Sequence, residues 1–94
     1  MASKIRLELL GMLRQYAGNQ KTVECDAENP RQVLDILVSR YPRMREQLYT
    51  PSTVTLREFI NIFLNGEDIR GLNGLETRLK DGDRITIMPA IAGG

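Results

Sequence analysis

Few side chains in this 94-residue chain have the types and spacing for chemistry. There is no histidine, which removes most metal sites, the Ser-His-Asp triad and the commonest general base. No cluster of metal ligands is expected. The one cysteine, Cys25, alternates with Val23 and reads as a small core hydrophobe. No cationic or helix-terminal setting is evident that would activate its thiol. Asp81 and Asp83 flank Gly82, a spacing that suits a tight turn better than acid–base work. The arginines are scattered and interleaved with acids, as on a solvated mixed-charge surface. What remains is the main-chain carboxylate of Gly93-Gly94. Two residues without side chains can thread a channel too narrow for any other pair, at whatever backbone angles it imposes. A terminal carboxylate ionises near pH 3.5 and is a poor acyl donor at neutral pH. It needs activation, most simply by ATP as an acyl-adenylate. The chain has no phosphate-binding loop, so ATP is expected to be used by an activating partner, with no cofactor permanently bound here.

The elements that must present this terminus follow from hydrophobic periodicity. Ile5, Leu7 and Leu9 alternate with Arg6 and Glu8, predicting a strand with one buried face. Gly11 breaks the pattern, and the stretch Met12–Ala17 reads as a helical turn or a wide hairpin connection. Thr22 to Cys25 is a second strand. Asn29 suits an N-cap and Pro30 the first helical position. Val33, Leu34, Leu37, Val38 and Tyr41 then form one apolar stripe on a 3.6-residue period. Pro42 ends or kinks that helix, and Arg43–Tyr49 has the composition of a second short one. Thr50–Thr53 reads as a loop. Phe59–Leu64 is a strand closed by the Asn65-Gly66 turn. Glu67–Ile69 is a short partner strand, and Leu72, Leu75 and Leu79 are expected to anchor the following loop. Arg84–Met88 is the last strand, which Pro89, lacking an N–H, is expected to stop.

The order β-β-α-β-(short β)-β predicts an α+β domain, a mixed four- to five-stranded sheet with one main helix on one face. Two hairpin halves joined by the helix place the first and last strands side by side, the β-grasp arrangement. Residues 1–89 are expected to form this domain, and residues 90–94 a flexible diglycine tail. Length leaves room for one domain, and 13 basic against 12 acidic residues argue against a nucleic-acid binder. No signal-peptide stretch or run of about 18 apolar residues is present, and the lone cysteine fits a reducing compartment. A cytoplasmic protein is expected.

The segment Leu79 to Gly94, with Asp81-Gly82-Asp83, Ile85, Ile87, Pro89 and Ile91-Ala92-Gly93-Gly94, resembles the end of MoaD, the small subunit of molybdopterin synthase. Asn61–Gly66 and Ile5–Arg14 resemble that family's strand–turn and first-strand segments. Arg43–Arg57 looks like an insertion relative to its shortest members. The resemblance implies a ubiquitin-like β-grasp sulfur carrier of the MoaD/ThiS kind. It implies that Gly94 is adenylated by a ubiquitin-activating-type (MoeB-like) adenylyltransferase and converted to a thiocarboxylate. Inserted into a MoaE-like large subunit, Gly94 would then donate sulfur to a pterin precursor of the molybdenum or tungsten cofactor. A monomer alone and a heterotetramer with the large subunit are the implied assemblies, with catalytic groups on the partner.

Strand alternation adds where partners should dock. With Ile62, Leu64, Ile85 and Ile87 toward the helix, Leu10, Phe63 and Met88 fall on the opposite face. These three, with Pro89, Ala90, Ile91 and Ala92 of the tail, are the expected partner-binding residues, rimmed by Arg6, Glu8 and Arg84. Gly93 and Gly94 are the expected reacting terminus. Three other readings stay open: a ThiS-like or cysteine-forming sulfur donor for another pathway, a ubiquitin-like modifier conjugated through Gly94, and an interaction module with an inert tail.

Overall fold

The computed structural model describes residues 2–49 and 60–89. Its centre is a five-stranded sheet built from β1 (Ser3–Leu9), β2 (Thr22–Ala27), β3 (Ile60–Leu64), β4 (Glu67–Asp68) and β5 (Arg84–Pro89). The spatial order is β2-β1-β5-β3-β4. β1 and β5 pair in parallel at the centre, with Leu7 beside Ile85 and Leu9 beside Ile87. The other neighbours are antiparallel. This is the mixed β-grasp sheet that the element order predicts.

Helix α1 (Pro30–Arg40) covers one face. It starts where Asn29 accepts a hydrogen bond from the Gln32 N–H at 2.9 Å and Pro30 occupies the first helical position. Val33, Leu34 and Leu37 are fully buried against Ile5, Leu7, Leu9, Ile85 and Ile87 in one core. Val38 and Tyr41, at the edge of the stripe, are half-buried. Pro42 opens a single 3-10 turn, Pro42–Met44, that leads into the short helix α2 (Arg45–Leu48). Met44 and Leu48, four residues apart, both reach the core. The connection after β1 is a 3-10 helix over Gly11–Ala17, which plugs Leu13 and Ala17 into the same core.

Asn65 and Gly66 both adopt positive φ, +50° and +89°, as a two-residue hairpin turn of the mirror-image type needs. Asn65 also ties this turn to β5. Its amide nitrogen donates to Asp83 Oδ1 at 3.0 Å, and its carbonyl oxygen accepts from the Arg84 N–H at 2.9 Å.

Three expectations need correction. Pro89 does not stop the pairing: it belongs to β5 and stands opposite Ile60. A proline lacks a donor but keeps its carbonyl acceptor, which suffices at a strand end. Leu72 is exposed and anchors nothing. The loop is pinned instead by Ile69 and Leu79, both buried, and by half-buried Leu75. Ile69 does not extend β4. The Asp68 carboxylate accepts the Arg70 N–H at 2.9 Å and caps a 3-10 turn over Ile69–Gly71, which ends the strand after two residues. Phe59 and Thr50–Thr53 lie outside the described residues.

Candidate functional site: the chain exit and the outer sheet face

The face of the sheet away from α1 is set by pairing register. Directly opposed residues share a face, so the register of β1, β5 and β3 places side chains in rows. One row runs Glu8, Thr86, Phe63 and Asp68. A second holds Met88 and Asn61. Leu10, one residue past β1, donates its N–H to the Ile87 carbonyl at 3.1 Å, so the chain there runs alongside the Met88 end of β5. A third row places Arg6 beside Arg84 and opposite Glu24.

Of the predicted docking residues, Met88 is 37% exposed, while Leu10, Phe63 and Pro89 are half-buried. The structure brings Leu10 and Met88 to one end of the outer face, with Phe63 one row away, whereas Pro89, opposite the buried Ile60, alternates to the inner face. Ala90, Ile91, Ala92, Gly93 and Gly94 lie outside the described residues.

The rim has fixed chemistry. Glu8 Oε1 accepts from the Thr86 hydroxyl at 3.0 Å and stands 3.5 Å from Arg84 Nε. Arg6, exposed, has no carboxylate within ion-pair distance among the described residues. Arg70 pairs with Asp68 at 2.6 Å and also donates to Asn61 Oδ1 at 2.9 Å. That hydrogen bonding holds the Asp68 carboxyl below its ordinary range. Asn61, opposite Met88, is thus locked by a guanidinium at the sheet edge.

Two features here escape the periodicity of the chain. Met12, at 51% exposure, is the most exposed large apolar residue described and follows directly on Leu10 and Gly11. Its place in a short 3-10 connection, whose turns are tighter than an α-helix, hides it from a 3.6-residue or two-residue pattern. The Asn61–Asp68–Arg70 network joins residues of a strand and a loop, and only the short spacing from 61 to 70 hints at it.

Other candidates take no part. Cys25 is 5% exposed on the inner face of β2, and burial pushes its thiol up, with nearby Arg40 opposing and Asp26 reinforcing the shift. Asp81 and Asp83 serve the turn: Asp81 accepts the Lys4 N–H and Asp83 the Lys80 N–H, each at 2.8 Å. An open concavity of about 790 Å³, bordered by Lys4, Arg6, Asp26, Arg40 and Arg84, lies at the other end of the strands from Pro89. Among the described residues no group of three or more His, Cys, Asp or Glu is placed to hold a metal ion, and no helix is long and apolar enough to cross a membrane.

The outer face thus carries Phe63 and Met88 among polar and charged side chains, and Pro89 is the last described residue of the central strand beside it.

Comparison with known proteins gives the family. The ThiS family model matches residues 7–94. The chain is 40% identical over 84 residues to the sulfur carrier protein CysO of Mycobacterium tuberculosis, covering 88% of this chain and 90% of that one. A solution structure of small archaeal modifier protein 1 from Methanosarcina acetivorans superposes with a TM-score of 0.90 at 33% identity, covering 100% of this chain and 99% of that one. A chain in a crystal structure of the Amycolatopsis orientalis BexX/CysO complex superposes with a TM-score of 0.82 at 36% identity, over 96% and 99% of the two chains. These relatives are named for sulfur carriage and protein modification and not for molybdopterin synthase. The chain belongs to the ThiS family of ubiquitin-like, β-grasp sulfur carriers.

Proposed function

We propose that Gly94 is the reacting group and that the outer sheet face is where partner enzymes hold the carrier. A Gly94 carboxylate oxygen attacks the α-phosphorus of ATP in an activating enzyme of the ubiquitin-activating type, and pyrophosphate leaves. A sulfide-equivalent nucleophile then attacks the acyl carbon. A C–S bond forms, the C–O bond to the phosphate breaks, and AMP departs, leaving a thiocarboxylate. Sulfur held this way is nucleophilic and stays out of solution until a second partner presents its acceptor.

The observation that carries the reading is the 40% identity, over 88% of the chain, to a protein named a sulfur carrier. The fold supports it: an exposed Met88 and an Arg6 with no carboxylate in ion-pair distance among the described residues face outward on strands whose other faces are sealed in the core. Burial of an apolar centre inside a polar rim is how protein interfaces hold. The relative seen in the BexX/CysO complex supports a carrier that works by docking on another protein.

The acceptor separates two readings. The similarity to CysO favours a ThiS-like or cysteine-forming carrier for a pathway other than molybdopterin synthesis. The ending from Leu79 to Gly94 favours donation to a pterin precursor within a MoaE-like large subunit, as a heterotetramer with MoeB-like activation. Co-purification with a MoaE-like subunit, and dithiolene formation in that complex, supports the second; carrier that loads with sulfur but ignores such a subunit supports the first.

Intact-mass spectrometry of protein isolated from its own host tests the shared core. A gain equal to the difference between sulfur and oxygen is expected. Covalent conjugates through Gly94 would instead make it a modifier, and neither species would leave an inert interaction module. Deleting Gly94, or adding one residue after it, is expected to abolish sulfur transfer and leave the fold intact. Retained transfer overturns the proposal.

A further inference from the structure

We infer that Gly11 is a positioning residue: its bare Cα forms the seat against which the Pro89 ring packs, and so sets the direction in which the chain leaves the sheet. Gly11 adopts φ +62°, and a Cβ placed on it would stand 3.3 Å from Pro89 Cγ and 3.6 Å from Cδ. The first distance is tighter than ordinary carbon–carbon contact, so any side chain here must push the ring. On the other side, Pro89 stands opposite Ile60 in the β3 register. The preceding residues are tied to the same corner by the Leu10 N–H bond to the Ile87 carbonyl. The pyrrolidine ring fixes its own φ near −65°. Pro89 is therefore held by register, by ring and by the Gly11 seat.

The consequence for transfer rests on the proposed role of Gly94. Five residues beyond Pro89 span at most about 17 Å. With those residues drawn straight in a partner's channel, a tilt of about 10° at the root moves the tip by roughly 3 Å, whereas misplacing a reacting atom by about 1 Å can cost on the order of 100-fold in rate. Docking on the outer face and aiming of the terminus are thus separate jobs, and Gly11 belongs to the second.

Gly18 provides a matched control. It also lies in the left-handed region, at φ +64°, but a Cβ there meets only Gln20 Nε2 at 3.7 Å. Gly18→Ala is expected to lower Tm by roughly 5 °C through the left-handed penalty of an alanine, and Gly11→Ala by at least as much, since the contact with Pro89 adds to the same penalty. Only Gly11→Ala is expected to shift the Pro89 ring signals in carbon–proton correlation spectra of the free protein. In ATP-dependent adenylation by the activating enzyme encoded in the same genome, Gly11→Ala is expected to lose about 10-fold in kcat with KM held within about two-fold. Gly18→Ala should keep both values. Unshifted Pro89 signals in Gly11→Ala, or an equal kcat loss in Gly18→Ala, overturns the inference. A wild-type protein that is never adenylated at Gly94 overturns the carrier role alone, since the Pro89 signals still decide whether Gly11 sets the exit.

Discussion

The two faces of the sheet are carried by the same strands, one residue out of phase, and they have opposite chemistry. On β5, Ile87 is fully buried and Met88 next to it is 37% exposed. On β1, Ile5, Leu7 and Leu9 are sealed beneath α1, whereas Lys4 and Arg6 are exposed and Glu8 is half-buried. A side-chain period of two makes such a division inescapable for any half-covered sheet. What it gives a carrier is independence. The inner face holds the fold, so under the proposed docking mode successive partners would bind and release the outer face without touching the core.

This division can be broken most directly at neighbouring residues of one strand. Ile87→Ala is expected to destabilise by about 3 kcal/mol, the loss of buried methyl groups plus the cavity they leave. Met88→Ala is expected to cost less than about 0.5 kcal/mol, as an exposed truncation does. Urea unfolding of both variants checks the contrast. Equal losses would show that Met88 packs into the core and that the faces are not separate.

The next effect belongs to the outer face. Phe63 is half-buried, opposite Thr86 and one row from Met88. Phe63→Asp is expected to weaken binding to the activating enzyme or synthase partner by at least about 10-fold, close to 1.4 kcal/mol, by placing a charge in an apolar contact. Thermal unfolding should move only slightly. Calorimetric titration with the partner that returns an unchanged Kd, or a melting point that collapses, moves Phe63 out of the docking face.

A smaller loss is expected at the end of α1. Asn29→Ala removes the side chain that accepts the Gln32 N–H, and should lower stability by about 1 kcal/mol with partner binding unchanged. The cap lies beyond the inner face, so a change in partner affinity here would mean that a partner reaches round the sheet to the helix.

The inner face was legible from the residues themselves because each of its signals is local. Alternation in Ile5–Leu9 and Ile85–Ile87, the stripe from Val33 to Leu37, and Asn29 before Pro30 each need only a few neighbours in sequence. Met44 and Leu48 were visible the same way. The outer face was legible as a set of candidates, Leu10, Phe63 and Met88, but not as an arrangement. Register decides that Met88 meets Asn61 and Phe63 meets Thr86, and register is set by pairing between distant segments. The Gly11 seat joins positions at opposite ends of the chain, which no periodicity connects. Leu72 misled because a leucine in a glycine-rich loop is counted as an anchor when its hydrophobicity is known and its direction is not. The acceptor of the sulfur stayed illegible for another reason: in the proposed role any activating partner takes the same two terminal glycines, so Gly93-Gly94 alone does not separate one acceptor from another, and only the longer pattern from Leu79 to Gly94 leans toward a pterin precursor.

The smallest expected effect tests whether the inner face carries any chemistry at all. Cys25 is the chain's one thiol, and a sulfur carrier invites the idea that it takes part. Its surroundings argue otherwise. The thiolate is the nucleophile, and burial on the inner face of β2 raises the thiol above its ordinary range, with Arg40 offsetting this only in part. At about pH 8 the folded protein should therefore resist thiol reagents that modify it fully in denaturant. Sulfur loading of Cys25→Ala at Gly94, followed by intact mass, is expected to match the wild type, since the proposed transfer runs through the main-chain carboxylate and the partner's sulfur. Loss of loading in a folded Cys25→Ala would place a chemical step on the buried face, and the separation of a structural side from a functional one would fail at its most sensitive point.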